Sequence, residues 1–209
     1  MSLKHLTVGA LMVVCTFAVQ TSAQNNELTG SLGRTLISHQ VIPGAPSFDP
    51  DLRFGKGLSF EVNYARHVVD AGELLSVYLE VPFLGNPDED LTAAQNVIPQ
   101  QFSSYFVTPA ARLNLFSDQA VSPWVSFGGG FGHFSESSTL LFGGSNPGKT
   151  GTTTSVFEAG AGLDVRLFHS FSLRGEVRDF WSGKPQLNVT TGNSRQRNLF
   201  VGLGVVWHF

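Results

Sequence analysis

The chain has 209 residues, enough for one domain with a sizeable core. Charged residues make up 14% of it, against about 25% in an ordinary soluble domain. A surface this poor in charge is hard to keep dispersed in water, and a formal net charge of −3 lacks the basic footprint of a nucleic-acid binder.

Residues 1–23 read as a cleaved signal peptide. Lys4 and His5 form a polar start, an apolar stretch runs from Leu6 to Val19, and Thr21-Ser22-Ala23 offers small residues for cleavage. The stretch is too short for a spanning helix, which needs about 20 residues. Gln24 is then the expected mature start, and residues 24–209 form one barrel domain. Cys15 is the only cysteine and lies in the leader, so the mature chain is expected to hold no disulfide or cysteine metal site.

Along residues 24–209 the apolar residues alternate with polar ones. Leu28, Leu32 and Leu36 mark a first strand at 27–37, with Arg34 breaking the apolar set. Leu58, Phe60, Val62 and Tyr64 mark a second, and Leu75 to Phe83 a third. Tyr105 to Leu115, Val125 to Phe131, Phe157 to Leu167, Leu173 to Val177 and Leu199 to Phe209 complete eight. Period two over so many segments is a strand signal. The connections alternate in length. Those expected near 38–56, 84–102, 135–152 and 182–196 are long, and those near 69–73, 117–120 and 169–170 are short. An even strand count with short turns at one end and long loops at the other is the pattern of an all-β, antiparallel, up-and-down transmembrane β-barrel.

Alternation alone does not say which face meets lipid, because a soluble lipocalin-type barrel also has eight strands. The polar face is short of Lys: the mature chain carries only Lys56, Lys149 and Lys184, all in or beside expected loops. That face is rich in Gly instead, which suits a narrow filled lumen and is poor on an exposed strand. Phe83, Tyr105, Phe131, Phe157 and Trp181 share the apolar parity at strand ends next to long loops, as an aromatic girdle at one membrane interface does.

In this pattern the chain resembles the small outer-membrane barrels of the OmpA transmembrane-domain and OmpX type. The most specific element is the ending, Leu203-Gly-Val205-Val-Trp207-His-Phe209. In that family such an ending, here Trp207 and Phe209, resembles the signal read by the barrel-assembly machinery. The resemblance implies a bacterial outer membrane, with the lipid bilayer and lipopolysaccharide as surroundings and no OmpA-like periplasmic domain after Phe209.

The polar parity carries Glu61, Glu80, Arg112, Glu158, Asp164, Arg166, Arg174, Glu176 and Arg178. These nine groups are expected to share the lumen as a buried ion-pair network, and burial makes such groups costly unless each is partnered. A narrow pore or apolar-solute conduit is the alternative, against which stands the small bore of eight strands.

At the external rim, His133, Ser135 and Glu136 have the spacing of a His-x-Ser pair plus Glu used by an outer-membrane lipid-A deacylase. The chemistry would be a Ser nucleophile, a His base and an orienting carboxylate. Residues 143–150 match a phosphate-loop pattern letter for letter, but a β-prone Thr run follows where that chemistry needs a helix. No metal or other cofactor is expected. The functional expectation is a non-enzymatic envelope protein with a structural or surface-interaction role through its long loops, whose ligand the residues do not name.

Overall fold

The computed structural model describes residues 25–209 except 46–50, 56, 73, 118, 192 and 193. The expected leader and Lys56 lie outside the described residues.

The strands in chain order are β1 (Asn26–Ile37), β2 (Gln40–Val41), β3 (Asp51–Phe54), β4 (Leu58–Asp70), β5 (Leu75–Thr92) and β6 (Gln101–Val107). They continue with β7 (Ala110–Leu115), β8 (Val121–Glu136), β9 (Gly151–Phe168), β10 (Phe171–Ser182) and β11 (Gln196–His208). All pairings are antiparallel. The ring runs β5-β4-β1-β11-β10-β9-β8, then returns to β5 through β6 and β7, which both pair with β8 and β5. β6 and β7 are two halves of one span, parted at Thr108-Pro109, because proline has no amide hydrogen to give the ladder. Eight spans therefore close the all-β barrel.

The first strand, weakest in its apolar pattern, is fully paired: Glu27 opposes His208, and the ladder runs to Ile37 opposite Asn198. Arg34 takes the same outward parity as Leu32 and Leu36, so it interrupts the composition of the strand and not its geometry.

Burial alternates along every span, and it is inverted relative to a soluble barrel. Outward residues are large and apolar, with Leu203 75%, Phe127 65% and Leu32 61% exposed. Inward residues such as Glu27, Thr29 and Ser31 on β1 are buried. The closed antiparallel ring pairs most of the strand backbone within the sheet, as a wall facing hydrocarbon requires. The glycine run in β8 answers a close approach at the β6–β7 break. A Cβ on Gly130 would lie 2.0 Å from the Val107 carbonyl oxygen, and one on Gly128 would lie 2.5 Å from that of Pro109.

Two features differ from expectation. The second long loop begins later than residue 84: β5 runs to Thr92 and keeps pairing with β6 across a register shift between Asn86 and Glu89, around Pro87. The first long loop is also partly ordered into sheet, since β2 pairs with β3 and β3 with the far end of β5. The wall thus continues beyond the girdle as a crown.

The lumen at that end is closed by phenyl rings, not by charges. Phe102, Phe106, Phe134, Phe180 and Phe200 are buried with Leu52, Leu84, Ile98 and Leu187 in one apolar cluster. Phe106 stacks on Phe180 and Phe102 on Phe134, each pair with centroids 5.5 Å apart. These rings have inward parity next to girdle rings of outward parity, so composition near the loops does not separate the two sets. Phe134→Ala should cost about 3–5 kcal/mol, as large-to-small changes in a packed core do. Urea unfolding in detergent micelles, followed by tryptophan fluorescence, should show the lowered midpoint; an unchanged midpoint would mean the plug adds nothing.

Candidate functional site

Below the phenyl plug the lumen holds an ion-pair layer built on three arginines. Arg178 on β10 is fully buried and faces four carboxylates: Glu158 at 2.6 Å, Glu80 at 2.8 Å, Glu176 at 3.1 Å and Glu61 at 3.2 Å. Arg174, two inward positions nearer the short turns with Glu176 between, makes a two-pronged contact with Asp164, both bonds at 2.7 Å. Arg112 on β7 pairs with Glu27 and lies 3.5 Å from Glu80. Two-pronged guanidinium–carboxylate bonds are the strong, directional kind.

Serine and threonine hydroxyls complete the layer: Ser31 donates to Glu176 at 2.5 Å and Ser126 to Glu158 at 3.0 Å. Above it, Ser59 donates to Thr35, Thr35 to Asn86 and Asn86 to Ser104, at 2.6–2.9 Å, forming a neutral polar rung below the plug.

Of the nine charged residues expected in the lumen, Glu61, Glu80, Arg112, Glu158, Asp164, Arg174, Glu176 and Arg178 are brought together. Arg166 is not. It has inward parity but lies at the end of β9, where the lumen opens, and is exposed with its guanidinium donating to the Ser117 carbonyl at 2.7 Å.

Three residues join the layer without having been singled out. Glu27 bridges Arg112 and Arg174, lying 3.5 Å from the latter. Its signal was its parity with Thr29 and Ser31. Trp124 on β8 is buried among the guanidiniums of Arg178, Arg174 and Arg112, at 4.9, 5.0 and 5.8 Å from its ring. Its indole N–H donates to Asp164 at 3.2 Å. Tyr78 lies under Arg112 at 4.5 Å. A ring face attracts a cation most where water is excluded, and such contacts leave no periodic mark in sequence.

The short-turn end is a polar vestibule of about 310 Å³, lined among others by Glu27, His67, Asp70, Tyr78, Arg166 and His208. Ser76 and His67 both hydrogen-bond Asp70, and those bonds hold its carboxyl below the usual aspartate range. The vestibule ends upward against the buried arginines.

On the outer wall, Phe131 and Phe157 are 70% and 54% exposed, and Phe83, Tyr105 and Trp181 are half-buried on the same parity. Trp207 and Phe209 stack at the opposite end with centroids 4.6 Å apart. Asp179, of outward parity, accepts from Arg197 at 2.6 Å near the fourth loop.

The hydrolytic constellation is not assembled. His133 and Ser135 stand on the exterior, where the His133 ring bonds the Thr153 hydroxyl at 3.0 Å. Glu136 turns inward, is buried, and accepts the Gln186 amide hydrogen at 3.2 Å. The phosphate-loop match at 143–150 is a series of turns, with Gly143 and Gly144 at positive φ, and it leads into β9 and not a helix. Among the described residues no group of His, Cys, Asp or Glu stands at metal-holding distances.

In the crown, Glu89 is buried and accepts from the Gly57 amide at 3.3 Å. Burial, with Asp88 and Asp90 alongside, pushes its carboxyl up to about 7.

No family model and no curated protein sequence matches the chain. Solved structures do. Neisserial surface protein A superposes with a TM-score of 0.58 at 15% identity, covering 90% of this chain and 100% of that one. The outer membrane protein OprG from Pseudomonas aeruginosa gives 0.50 at 12% identity, over 92% and 100%. What is shared is the fold. The chain has the fold of the small eight-stranded outer-membrane β-barrels, as in the OmpA and OmpX type.

Carboxylates outnumber guanidiniums in the layer, so removing an arginine should hurt more than neutralising an acid. Arg178→Met should cost about 3–5 kcal/mol, because it leaves four buried carboxylates without their shared cation. Glu61→Gln should stay within about 1 kcal/mol of the parent, and so should Arg166→Ala at the open mouth. Urea midpoints in micelles rank the three; equal midpoints for Arg178→Met and Arg166→Ala would contradict the layer.

Glu89 makes a separate prediction. A carboxyl raised on folding contributes stability in full below its unfolded value, and that contribution is lost as pH rises through about 7. Exchange of the Gly57 amide, corrected for intrinsic rate, should therefore speed up between about pH 5 and pH 8. Glu89→Gln should abolish the dependence.

Proposed function

We propose that this protein is a non-enzymatic envelope protein of the bacterial outer membrane, whose closed barrel carries a loop crown for surface interactions. The observation that carries this reading is the double closure of the lumen, by an ion-pair layer and then by a phenyl plug. A barrel filled at two levels supports a scaffold over a conduit, and loops on a rigid scaffold are where binding usually resides.

The apolar exterior belt supports placement in a bilayer, since strand walls of this kind are apolar toward lipid and polar within. The fold shared with outer-membrane barrels supports the outer membrane and lipopolysaccharide as surroundings. In this reading residues 1–23 act as the export leader, Phe83, Tyr105, Phe131, Phe157 and Trp181 anchor one interface, and Trp207 and Phe209 present the assembly signal.

A conduit would have to open both closures. A hydrolase at His133 and Ser135 would have to recruit a carboxylate other than Glu136, which faces the interior.

Two measurements test the proposal. In planar bilayers the purified barrel should give no discrete conductance steps; regular steps would replace the scaffold by a pore. On intact cells, a cysteine at Asn146 should react with a membrane-impermeant maleimide, whereas one at Gln119 should react only after permeabilisation. The reverse labelling would put the crown on the periplasmic side and end the surface-interaction reading.

A further inference from the structure

Arg34 is a residue that the fold leaves unexplained. It points outward from β1 on the lipid-facing parity, exposed, and among the described residues it has no acid partner. A charge on that face is costly at mid-depth and cheap at the interface, so its height decides its meaning.

The register supplies the height. Pairing runs Arg34–Val201–Val177–Ala161–Val125–Leu113–Val77–Val69 around the barrel. It starts near the long loops and ends beside a short turn, so the strands are tilted and the paired row descends steadily. Corrected for that descent, the level of Arg34 on neighbouring strands is that of Leu199, Phe157 and Phe131. Arg34 therefore sits within the girdle at the crown end.

Beside it the outer wall is notched. A groove of about 760 Å³ crosses β4, β1, β11 and β10, walled by Leu32, Leu58, Val177, Val201 and Leu203, with Gly175 among its lining. The groove is shallow and open along one side, the shape of a seat for a chain lying against the wall. A Cβ at Gly175 would meet only a Leu203 methyl, at 3.5 Å, so the space there is open. The groove is apolar along its length and cationic at the girdle end.

We propose that this groove holds one acyl chain of a phosphorylated lipid, whose phosphate is bound by Arg34. The proposal rests on the membrane reading above. The guanidinium fork matches a phosphate by paired N–H···O bonds, and an interfacial headgroup is the anion that this wall meets at that depth. Because Arg34 lies at the crown end, the occupant is an outer-leaflet lipid, the lipid A anchor of lipopolysaccharide.

Native mass spectrometry of the full mature barrel in detergent, with purified bisphosphorylated lipid A added, tests this. The parent should carry one lipid A per barrel. Arg34→Gln should weaken the adduct about tenfold or more, the loss expected for a charge-assisted bond. Gly175→Leu, which fills the groove without a backbone clash, should weaken it comparably. Lipid A stripped of phosphate should bind the parent as poorly as intact lipid A binds Arg34→Gln.

Heat-modifiable gel mobility establishes that each variant is a folded barrel. Equal adducts in parent and both variants would overturn the site, as would a dimer in place of the lipid adduct. Phosphatidylglycerol retained as tightly as lipid A would overturn the assignment to the outer leaflet. A folded barrel that needs detergent but takes no lipid A loses this proposal alone. One that stays monodisperse in plain buffer loses the membrane reading as well.

Discussion

In hydrocarbon an unpaired strand edge would leave a row of amides and carbonyls without partners. The antiparallel seam between β1 and β11 removes that edge, from Glu27 opposite His208 to Ile37 opposite Asn198. Once the sheet closes, every second side chain is committed to a narrow interior and its neighbours to the outside. The contents of the lumen follow from that closure. Glu27 becomes an internal ligand of Arg112 and Arg174 only because the first strand is inserted between β4 and β11.

The interior is zoned along the barrel axis. An open polar vestibule leads to three arginines and their carboxylates, then to a rung of hydroxyls and amides, then to packed phenyl rings. Each zone handles a different cost. The charged layer offsets its own desolvation by mutual pairing, which demands near-complete partnering. The plug needs only apolar volume and shape. Trp124 works in the charged zone by offering its ring face to guanidiniums and its N–H to Asp164.

The exterior shows the complementary logic. Charged residues of outward parity stand toward the strand ends, Asp179 with Arg197 near one loop and Arg34 level with the outward aromatic ring. Arg34 and the groove below it make the wall locally polar at one end and apolar along the rest, as an amphipathic lipid is.

Periodicity alone determined the strand class and the span count, because a side-chain period of two is a local property of extended backbone. The inside-out polarity needed composition as well, through the scarcity of Lys and the glycines on the polar parity. Periodicity was also enough to select eight of the nine lumen charges, since parity decides facing. Depth was not legible. Arg166 and Arg174 share a parity, but one meets water at the mouth and the other is sealed, and only strand tilt and stagger separate them. For the same reason the inward phenyls of the plug read like the outward rings of the girdle. The His133–Ser135–Glu136 spacing concealed that alternation turns its carboxylate to the opposite face. Which residues meet across the barrel depends on register between strands far apart in the chain, and that was settled only when the sheet closed.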